Sequence, residues 1–258
     1  MSRAPRKRSK SGIYHVMLRG LDRRNIFLDK EDMERFLMIL LKVKETGAFE
    51  FYGYCLMDNH VHLLVKEHEE IGKGIKRITV SYVQWHNNKY DRTGHLFQNR
   101  YKSEPVENEG SLFAVLRYIH QNPLKAKMVK NFEQYQWSSF HDYTLVYEGE
   151  KTNLDAELIT SYFTTKESFI SYMNEIVDQE FIDYEDKRKC TDVEIMKMIN
   201  KITHLESIIK LPKKERDSII NKIYHDSGAS IRQLSRVIGL GRSVVEKATK
   251  KVTDETSP

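Results

Sequence analysis

The alternation of apolar and polar positions in the first half of the chain predicts both strands and helices. Residues 13–20 alternate between two faces and are bounded by glycines, which predicts a strand. After Asp29 the apolar side chains recur every three or four residues as far as Gly47, which predicts a helix with Asp29 as its N-cap. Residues 49–57 are rich in aromatic side chains and predict a second strand.

The next segments complete one domain. Asp58 and Asn59 are turn residues before an alternating stretch at residues 60–65, so this third strand should pair with the second as a hairpin. The later predicted elements are a helix preceded by Gly72 and Gly74, a strand over residues 101–106, and a helix from Glu109 to Gln121 that Pro123 stops. The order strand, helix, strand, strand, helix, strand predicts an α+β, ferredoxin-like antiparallel sheet with helices, within a domain spanning residues 13–145.

Beyond Tyr143 the pattern becomes helical and the composition acidic. Residues 146–190 are therefore predicted to form an acidic helical linker. Residues 191–258 contain helical patterns separated by Pro212 and Gly228, which predicts a small all-α domain.

Composition restricts the class of protein. Of the 258 residues, 31% are charged and 40% hydrophobic, which excludes wholesale disorder. Cys55 and Cys190 are the only cysteines, too few for a disulfide framework or a four-thiolate zinc site. The most apolar stretch, residues 36–41, is too short to cross a bilayer, and residues 1–12 form a basic, disordered arm without the apolar core of a signal peptide. We expect a cytoplasmic, nucleoid-associated protein with no membrane partner.

The net charge of +5 hides an uneven distribution. Residues 1–140 sum to +8, residues 141–200 to −8 and residues 201–258 to +5. Two basic blocks therefore flank an acidic one, which favours an anionic partner contacted by two surfaces, and nucleic acid is the commonest such partner. The alternative interpretation is an ordinary surface of mixed, solvated charges.

His60 and His62 are the first candidates for chemistry. They lie two residues apart on a predicted strand, so both imidazoles leave one face while Val61 and Leu63 leave the other. Two imidazoles on one face can share a divalent cation. The alternative interpretation is a pair of ordinary surface or hydrogen-bonded histidines.

A second candidate element is the helix before Pro123, which carries Tyr118 and Asn122 one turn apart on one face. The Asn122 carboxamide could complete a metal shell and the Tyr118 phenol could attack a phosphate there, because a divalent cation compensates for a phenol pKa of about 10. Taken alone, Tyr118 is better interpreted as a half-buried helix aromatic and Asn122 as a simple helix end before proline. Tyr101 is a rival nucleophile, although it lies in strand-like sequence without a polar ligand one turn away.

Five ordered motifs within about residues 11–145 give the chain a family resemblance. Together they resemble the single-tyrosine HUH transposases, and among these the REP-associated tyrosine transposases. The motifs are Ile13-Tyr14-His15-Val16 with Arg19-Gly20, Met57-Asp58-Asn59-His60-Val61-His62-Leu63-Leu64, Gly94-His95-Leu96-Phe97-Gln98-Asn99-Arg100-Tyr101-Lys102-Ser103, Tyr118-Ile119-His120-Gln121-Asn122-Pro123 and Trp137-Ser138-Ser139.

The resemblance implies that His60, His62 and Asn122 bind Mg²⁺ or Mn²⁺ and that Tyr118 attacks single-stranded DNA bearing hairpins. Cleavage would leave a 5′-phosphotyrosine link and a free 3′-OH, and the strand would be rejoined to another 3′-OH. Relatives act as monomers or as homodimers that exchange the tyrosine helix, so both states stay open. The alternative function is a DNA-binding regulator that keeps hairpin recognition without transposition. A replication initiator or relaxase is disfavoured because here the histidine strand precedes the tyrosine helix.

Both basic blocks offer residues for DNA contact. Residues 71–130 carry a net charge of +7 interspersed with aromatic rings, a combination that holds single strands. The candidates for DNA contact in the first domain are Arg19, Lys76, Arg77, Arg100, Lys102 and Arg117.

The second basic block contains a helix-turn-helix pattern. Ser230 would cap the first helix, and Gly239 would permit the tight turn before the second. Arg242, Ser243 and Lys247 would then face a major groove, which makes duplex DNA a second expected partner. The alternative interpretation is a helical packing or oligomerisation domain.

Overall fold

The structure is a computed structural model that describes residues 6–175, Phe181 and residues 190–250. The chain divides into two compact units, Met1–Asp183 and Tyr184–Pro258. In the first unit the strands are β1 (Ile13–Arg19), β2 (Phe49–Met57), β3 (His60–Glu67) and β4 (Lys102–Pro105). Its helices are α1 (Lys30–Glu45), α2 (Ile71–Lys89), α3 (Glu109–Lys125), α4 (Ser139–Tyr147), α5 (Glu157–Tyr162) and α6 (Lys166–Asn174).

The four strands form one antiparallel sheet in the order β2-β3-β1-β4. With α1 between β1 and β2 and α2 between β3 and β4, this is the ferredoxin-like arrangement. The predicted α+β class is therefore confirmed. The predicted N-cap is also present, because the Asp29 carboxylate accepts a hydrogen bond from the backbone of Asp32 at the start of α1.

The two faces of the sheet are covered by different helices. Phe49 lies on the face of Val65 and packs beside Gly74 of α2, whereas a β-bulge after Phe51 turns Gly53 towards the opposite face. On that opposite face α3 approaches so closely that a Cβ at Gly53 would lie 2.6 Å from a methyl carbon of Leu116. The side chains at positions 60 and 62 share this second face, so the histidines lie under α3.

Two predicted helix ends differ from the structure. The helix α2 begins at Ile71 and includes Gly72 and Gly74, which pack against neighbouring residues rather than precede the helix. The helix α3 continues to Lys125 with Pro123 inside it, so the prediction that Pro123 stops this helix was wrong. A proline near a C-terminus removes one backbone hydrogen bond but does not prevent the final turn, which the 2.9 Å bond from the Ala126 amide to the Asn122 carbonyl closes.

The described parts of the predicted arm and linker pack against the first unit. The backbone amide of Lys10 donates to the Glu107 carboxylate at 3.0 Å, and that of Ser9 donates to the Tyr14 hydroxyl at 2.8 Å. Phe169 and Met173 of α6 are fully buried in the same core as the sheet, because α6 covers the outer side of α3. The rest of these two predicted segments, residues 1–5, 176–180 and 182–189, lies outside the described residues.

The described part of the second unit is helical and has a core of its own, centred on Ile195, Ile220, Leu234 and Val245. The helices of this unit are α7 (Asp192–Ile202), α8 (Lys213–Ser227), α9 (Ile231–Ile238) and α10 (Arg242–Lys250). A three-residue turn joins α9 to α10, and its first residue, Gly239, has a φ of 77° that favours glycine. Throughout the described part of the chain, every helix is too short or too polar to cross a membrane.

Candidate active site

Four aromatic side chains meet between the sheet and α3. The His60 and His62 ring centroids are 5.0 Å apart, and the Tyr118 ring lies 5.7 Å from that of His62. His15 of β1 completes the cluster, with its ring 5.9 Å from that of Tyr118. The structure thus brings Tyr118 to the histidine strand within a single chain.

His15 and His62 are bonded to each other. The distance between His15 Nε2 and His62 Nδ1 is 2.9 Å, and both side chains are fully buried. Burial lowers the pKa of His15 to about 3 and, together with the neighbouring histidines, lowers that of His62 well below its usual range. Both imidazoles are therefore neutral at pH 7. The second ring nitrogen of His62, Nε2, is buried and meets no hydrogen-bond partner in the described residues.

His60 is oriented by its neighbour in the hairpin turn. Its Nδ1 lies 2.6 Å from Oδ1 of Asn59, and because a carboxamide oxygen only accepts, this nitrogen carries the proton. The Nε2 atom of His60 then bears the lone pair. A neutral imidazole with its Nδ1 proton bonded to an acceptor is the usual form of a metal-ligating histidine.

Asn122 lies one turn after Tyr118 and is buried. Its side-chain nitrogen donates to the Tyr118 backbone carbonyl at 3.0 Å, which leaves its Oδ1 oxygen as the atom able to act as a ligand.

These donors fit a divalent cation. Two imidazole nitrogens and a carboxamide oxygen are acceptable ligands for Mg²⁺ or Mn²⁺ when water and substrate oxygens complete the shell. A cation bound to His62 Nε2 would also explain why this buried nitrogen has no hydrogen-bond partner among the described residues. Across the described residues there is no group of three or more His, Cys, Asp or Glu side chains that could hold a metal. A cation at this site would therefore depend on the amide oxygen as well as on the imidazoles.

Each polar residue of the motif in α3 has a different partner. His120 Nε2 lies 2.8 Å from Oγ of Ser139, and that hydroxyl also accepts from the Tyr54 amide at 2.9 Å. On the outer side of the helix, the Gln121 carboxamide donates to the Met173 carbonyl at 2.7 Å. The tyrosine helix is therefore fixed to the sheet on one side and to α6 on the other.

The surroundings of Tyr118 are partly apolar and partly cationic. The Tyr118 side chain is 4% exposed, and the ring of Phe181 lies 5.0 Å from it. The Lys125 ammonium lies 4.7 Å from the Tyr118 ring centroid, two turns further along the same helix face. The rival, Tyr101, lies elsewhere: its ring stacks under the Arg6 guanidinium at 3.8 Å.

The residues predicted to contact DNA fall into three groups in the first unit. Arg19 and Lys102 lie on the sheet face that carries the two histidines. In the strand register Arg19 is opposite His60, and Lys102 is opposite Met17. Lys76 and Arg100 are exposed and line a cavity of about 970 Å³ between α2 and residues 95–101. The third group makes contacts with protein carboxylates: Arg77 is paired with Glu69, and Arg117 with Glu175.

The remaining predicted residues lie on α10 of the second unit. Arg242, Ser243 and Lys247 are all exposed there.

Comparison with known families decides the class of the first unit. The family model described as "Transposase IS200 like" matches residues 8–122. Residues 8–122 are therefore similar to the IS200-like transposases. We refer to residues 8–122 as the IS200-like domain, which begins before β1 and ends at Asn122, so that it contains both candidate histidines and Tyr118.

A solved structure described as "Structure of the REP associates tyrosine transposase bound to a REP hairpin" is also similar to this chain. The similarity has a TM-score of 0.49 and 20% sequence identity, and covers 59% of this chain and 90% of that chain. A search of curated proteins gave no significant match. The predicted resemblance to a transposase family is confirmed by the match of the IS200-like domain.

Two contributors to the site are not among the residues that the sequence predicts. His15 lies in the first motif and is bonded to a candidate ligand, and Ser139 lies in the last motif and anchors α3 through His120. The alternation of side chains in β1 indicates which sheet face His15 lies on. Only the register between β1 and β3 places His15 beside His62.

Proposed function

We propose that this protein is a metal-dependent single-stranded DNA endonuclease and strand transferase with Tyr118 as its nucleophile. The observation that carries the proposal is the contact of the Tyr118 ring with His62, inside a domain that matches the IS200-like transposases. We further propose that hairpin-bearing strands are the substrate, as in the REP-associated tyrosine transposase whose structure resembles this chain. Because the Tyr118 ring lies 5.7 Å from that of His62 in the same chain, we also propose that one chain supplies the whole site.

The proposed reaction is two successive phosphoryl transfers. The Tyr118 oxygen forms a bond to the scissile phosphorus, and the bond from phosphorus to the 3′ oxygen breaks. The phenol loses one proton, and the leaving 3′ oxygen gains one to become the new 3′-OH. The 5′ end of the downstream strand is then joined to Tyr118. A 3′-OH of another strand reverses the step and releases the phenol. No external energy source is needed, because one phosphodiester bond is exchanged for another.

His60, His62 and Asn122 would hold the cation. When bound, Mg²⁺ or Mn²⁺ would polarise the scissile phosphate and offset charge that develops during transfer. The chain itself supplies the buried, neutral His62 and a helix fixed on both sides, so the phenol is held beside the site without a change in fold.

The DNA would approach along two basic features. Arg19 and Lys102 would bind phosphates on the histidine face. The cavity beside α2 combines the exposed cations Lys76 and Arg100 with the ring of Tyr101, and such a mixture of charge and aromatic surface suits a single strand.

The proposal is tested with hairpin strands labelled at one end and incubated with Mg²⁺ or Mn²⁺. A 3′-labelled strand should become linked to protein in a form that survives denaturation, whereas a 5′-labelled strand should be shortened and remain free with an extendable 3′-OH. EDTA should prevent both products. Mass spectrometry of the adduct should place the nucleotide on the peptide containing Tyr118.

Protein attached to the 5′-labelled fragment would reverse the proposed polarity and exclude this mechanism. Tight hairpin binding with no adduct under any metal would instead support the regulator that retains recognition alone.

For the second unit we propose a helix-turn-helix that contacts duplex DNA. The turn at Gly239 and the exposed Arg242, Ser243 and Lys247 on α10 support this role. Arg236, in contrast, is bonded to the carboxylate of Asp192 and would serve the fold.

The double variant Arg242→Ala and Lys247→Ala should weaken duplex binding about tenfold, or roughly 1.4 kcal/mol. The slope of log affinity against log salt should fall by about 1 to 2, since each phosphate contact contributes about 0.9. Fluorescence anisotropy over a salt series measures both values. The charge-matched control, Lys214→Ala with Lys222→Ala on α8, should leave the slope unchanged. An equal loss in both double variants would contradict a specific role for α10.

A further inference from the structure

Both candidate ligand histidines use Nδ1 for a hydrogen bond inside the protein. His60 Nδ1 donates to the carboxamide oxygen of Asn59 at 2.6 Å, and His62 Nδ1 is 2.9 Å from Nε2 of His15. The first bond fixes the tautomer of His60, since the amide oxygen has no proton to give. The second bond joins two imidazoles, so its direction has to be established by another argument.

One proton lies between His15 and His62. If His15 Nε2 carried it, the proton of the neutral His62 ring would lie on its own Nε2, and that atom could not bind a cation. If His62 Nδ1 carries it, His62 Nε2 presents a lone pair and the proton of His15 lies on its Nδ1. Both outer atoms, His62 Nε2 and His15 Nδ1, are buried without hydrogen-bond partners among residues the structure describes. Only in the second arrangement can His62 Nε2 bind a cation.

We propose that His15 is a positioning residue that accepts the Nδ1 proton of His62 and so holds His62 in the tautomer that ligates the divalent cation. The inference rests on the proposed function, because it assumes that His62 is a ligand. The strand register supports it independently: His15 and His62 lie on the same face of neighbouring strands, and their rings are stacked with centroids 5.1 Å apart. His15 has no contact with the cation in this role.

The test measures Mn²⁺ affinity of the full-length protein, without DNA, by calorimetry or by the electron paramagnetic resonance of free Mn²⁺. His15→Leu removes the acceptor, and loss of such an outer partner weakens metal binding about 10- to 100-fold. His15→Gln places a carboxamide oxygen near the position of Nε2, and its affinity should stay within about threefold of the wild type. The control His86→Leu replaces another fully buried histidine, outside the site, and should bind Mn²⁺ as the wild type does.

A second measurement has a wild-type part that does not depend on how well the variants fold. In protein labelled with ¹⁵N-histidine and supplied with Mg²⁺, the shared proton should be bonded to His62 Nδ1, and His15 Nε2 should be unprotonated. In His15→Leu the His62 proton should move to Nε2, a change that a purely structural role of His15 would not produce.

The outcomes separate the two proposals. If the wild type does not bind Mn²⁺, the metal site of the proposed function fails. If the wild type binds Mn²⁺ and His15→Leu binds it equally well, or if the shared proton is found on His15 Nε2, the metal site stands and the role of His15 is refuted.

Discussion

Tyr118→Phe should reduce formation of the covalent DNA adduct by at least about 10³-fold, because the variant has no oxygen to attack the phosphate. The substitution removes one atom and keeps the ring. The contacts of that ring with His15 and His62 should therefore persist, and the fold and the metal site with them. The measurement is the initial rate of adduct formation on a 3′-labelled hairpin strand with saturating Mn²⁺.

Hairpin binding by the Tyr118→Phe variant should stay within about twofold of the wild type, which separates loss of chemistry from loss of recognition. Tyr101→Phe is the matched control: it deletes the same hydroxyl from the rival tyrosine and retains the ring that stacks under Arg6. Its adduct rate should be near that of the wild type. A normal rate in Tyr118→Phe together with a lost rate in Tyr101→Phe would transfer the nucleophile to Tyr101.

Mixing the Tyr118→Phe and His60→Ala variants tests whether the tyrosine and the histidines of one active site come from the same chain. If two chains exchanged the tyrosine helix, one variant would supply the histidines and the other the phenol, and the mixture would regain activity. Because Tyr118 contacts His62 of its own chain, the mixture should stay as inactive as each variant alone. Restored adduct in the mixture would mean that the active form shares its site between chains.

The sheet and its faces could be predicted from sequence because alternation determines which side chains share a face. The same rule placed His60 and His62 together, and the helical repeat placed Tyr118 and Asn122 one turn apart. What alternation does not supply is the register between strands. His15 lies beside His62 only because β1 pairs with β3 in the observed register, so its bond to a candidate ligand was not predictable from either strand alone.

The acidic composition after residue 145 predicts a linker, but a few buried apolar residues of this region belong to the core of the first unit. The region after residue 145 is acidic overall, yet Phe169 and Met173 are fully buried against the sheet domain, and the acidic side chains of the described residues 146–175 lie mostly on the surface. Burial of two large apolar side chains contributes several kcal/mol, which solvated surface charges do not oppose. Arg117, which we predict to contact DNA, is paired with Glu175, a partner 58 residues away in sequence that the charge of Arg117 alone does not indicate.

Gly20→Ala should be among the most damaging single-methyl changes in the IS200-like domain. A Cβ at Gly20 would lie 2.0 Å from the Arg24 carbonyl oxygen and 3.0 Å from a methyl carbon of Ile26. The first contact is with backbone, so no side-chain rotation relieves it. The loop that carries Arg24 is already constrained, since Asp22 and Arg23 both have positive φ, at 51° and 64°.

The backbone shift that Gly20→Ala forces would reach the site, because the Gly20 amide donates to the Asn59 carbonyl at 2.8 Å and Asn59 orients His60. We expect a loss of about 3 kcal/mol, the upper part of the range for overpacking, and a fall in Tm of about 6–12 °C for a unit of this size. Adduct formation should fall as well. The control Gly110→Ala adds the same methyl in the first turn of α3, where the nearest atom is 3.5 Å away, and alanine should stabilise that helix slightly. Calorimetric unfolding of both variants distinguishes the two sites. An unchanged Tm in Gly20→Ala would mean that the loop at residues 21–24 moves away freely and does not hold Asn59 in place.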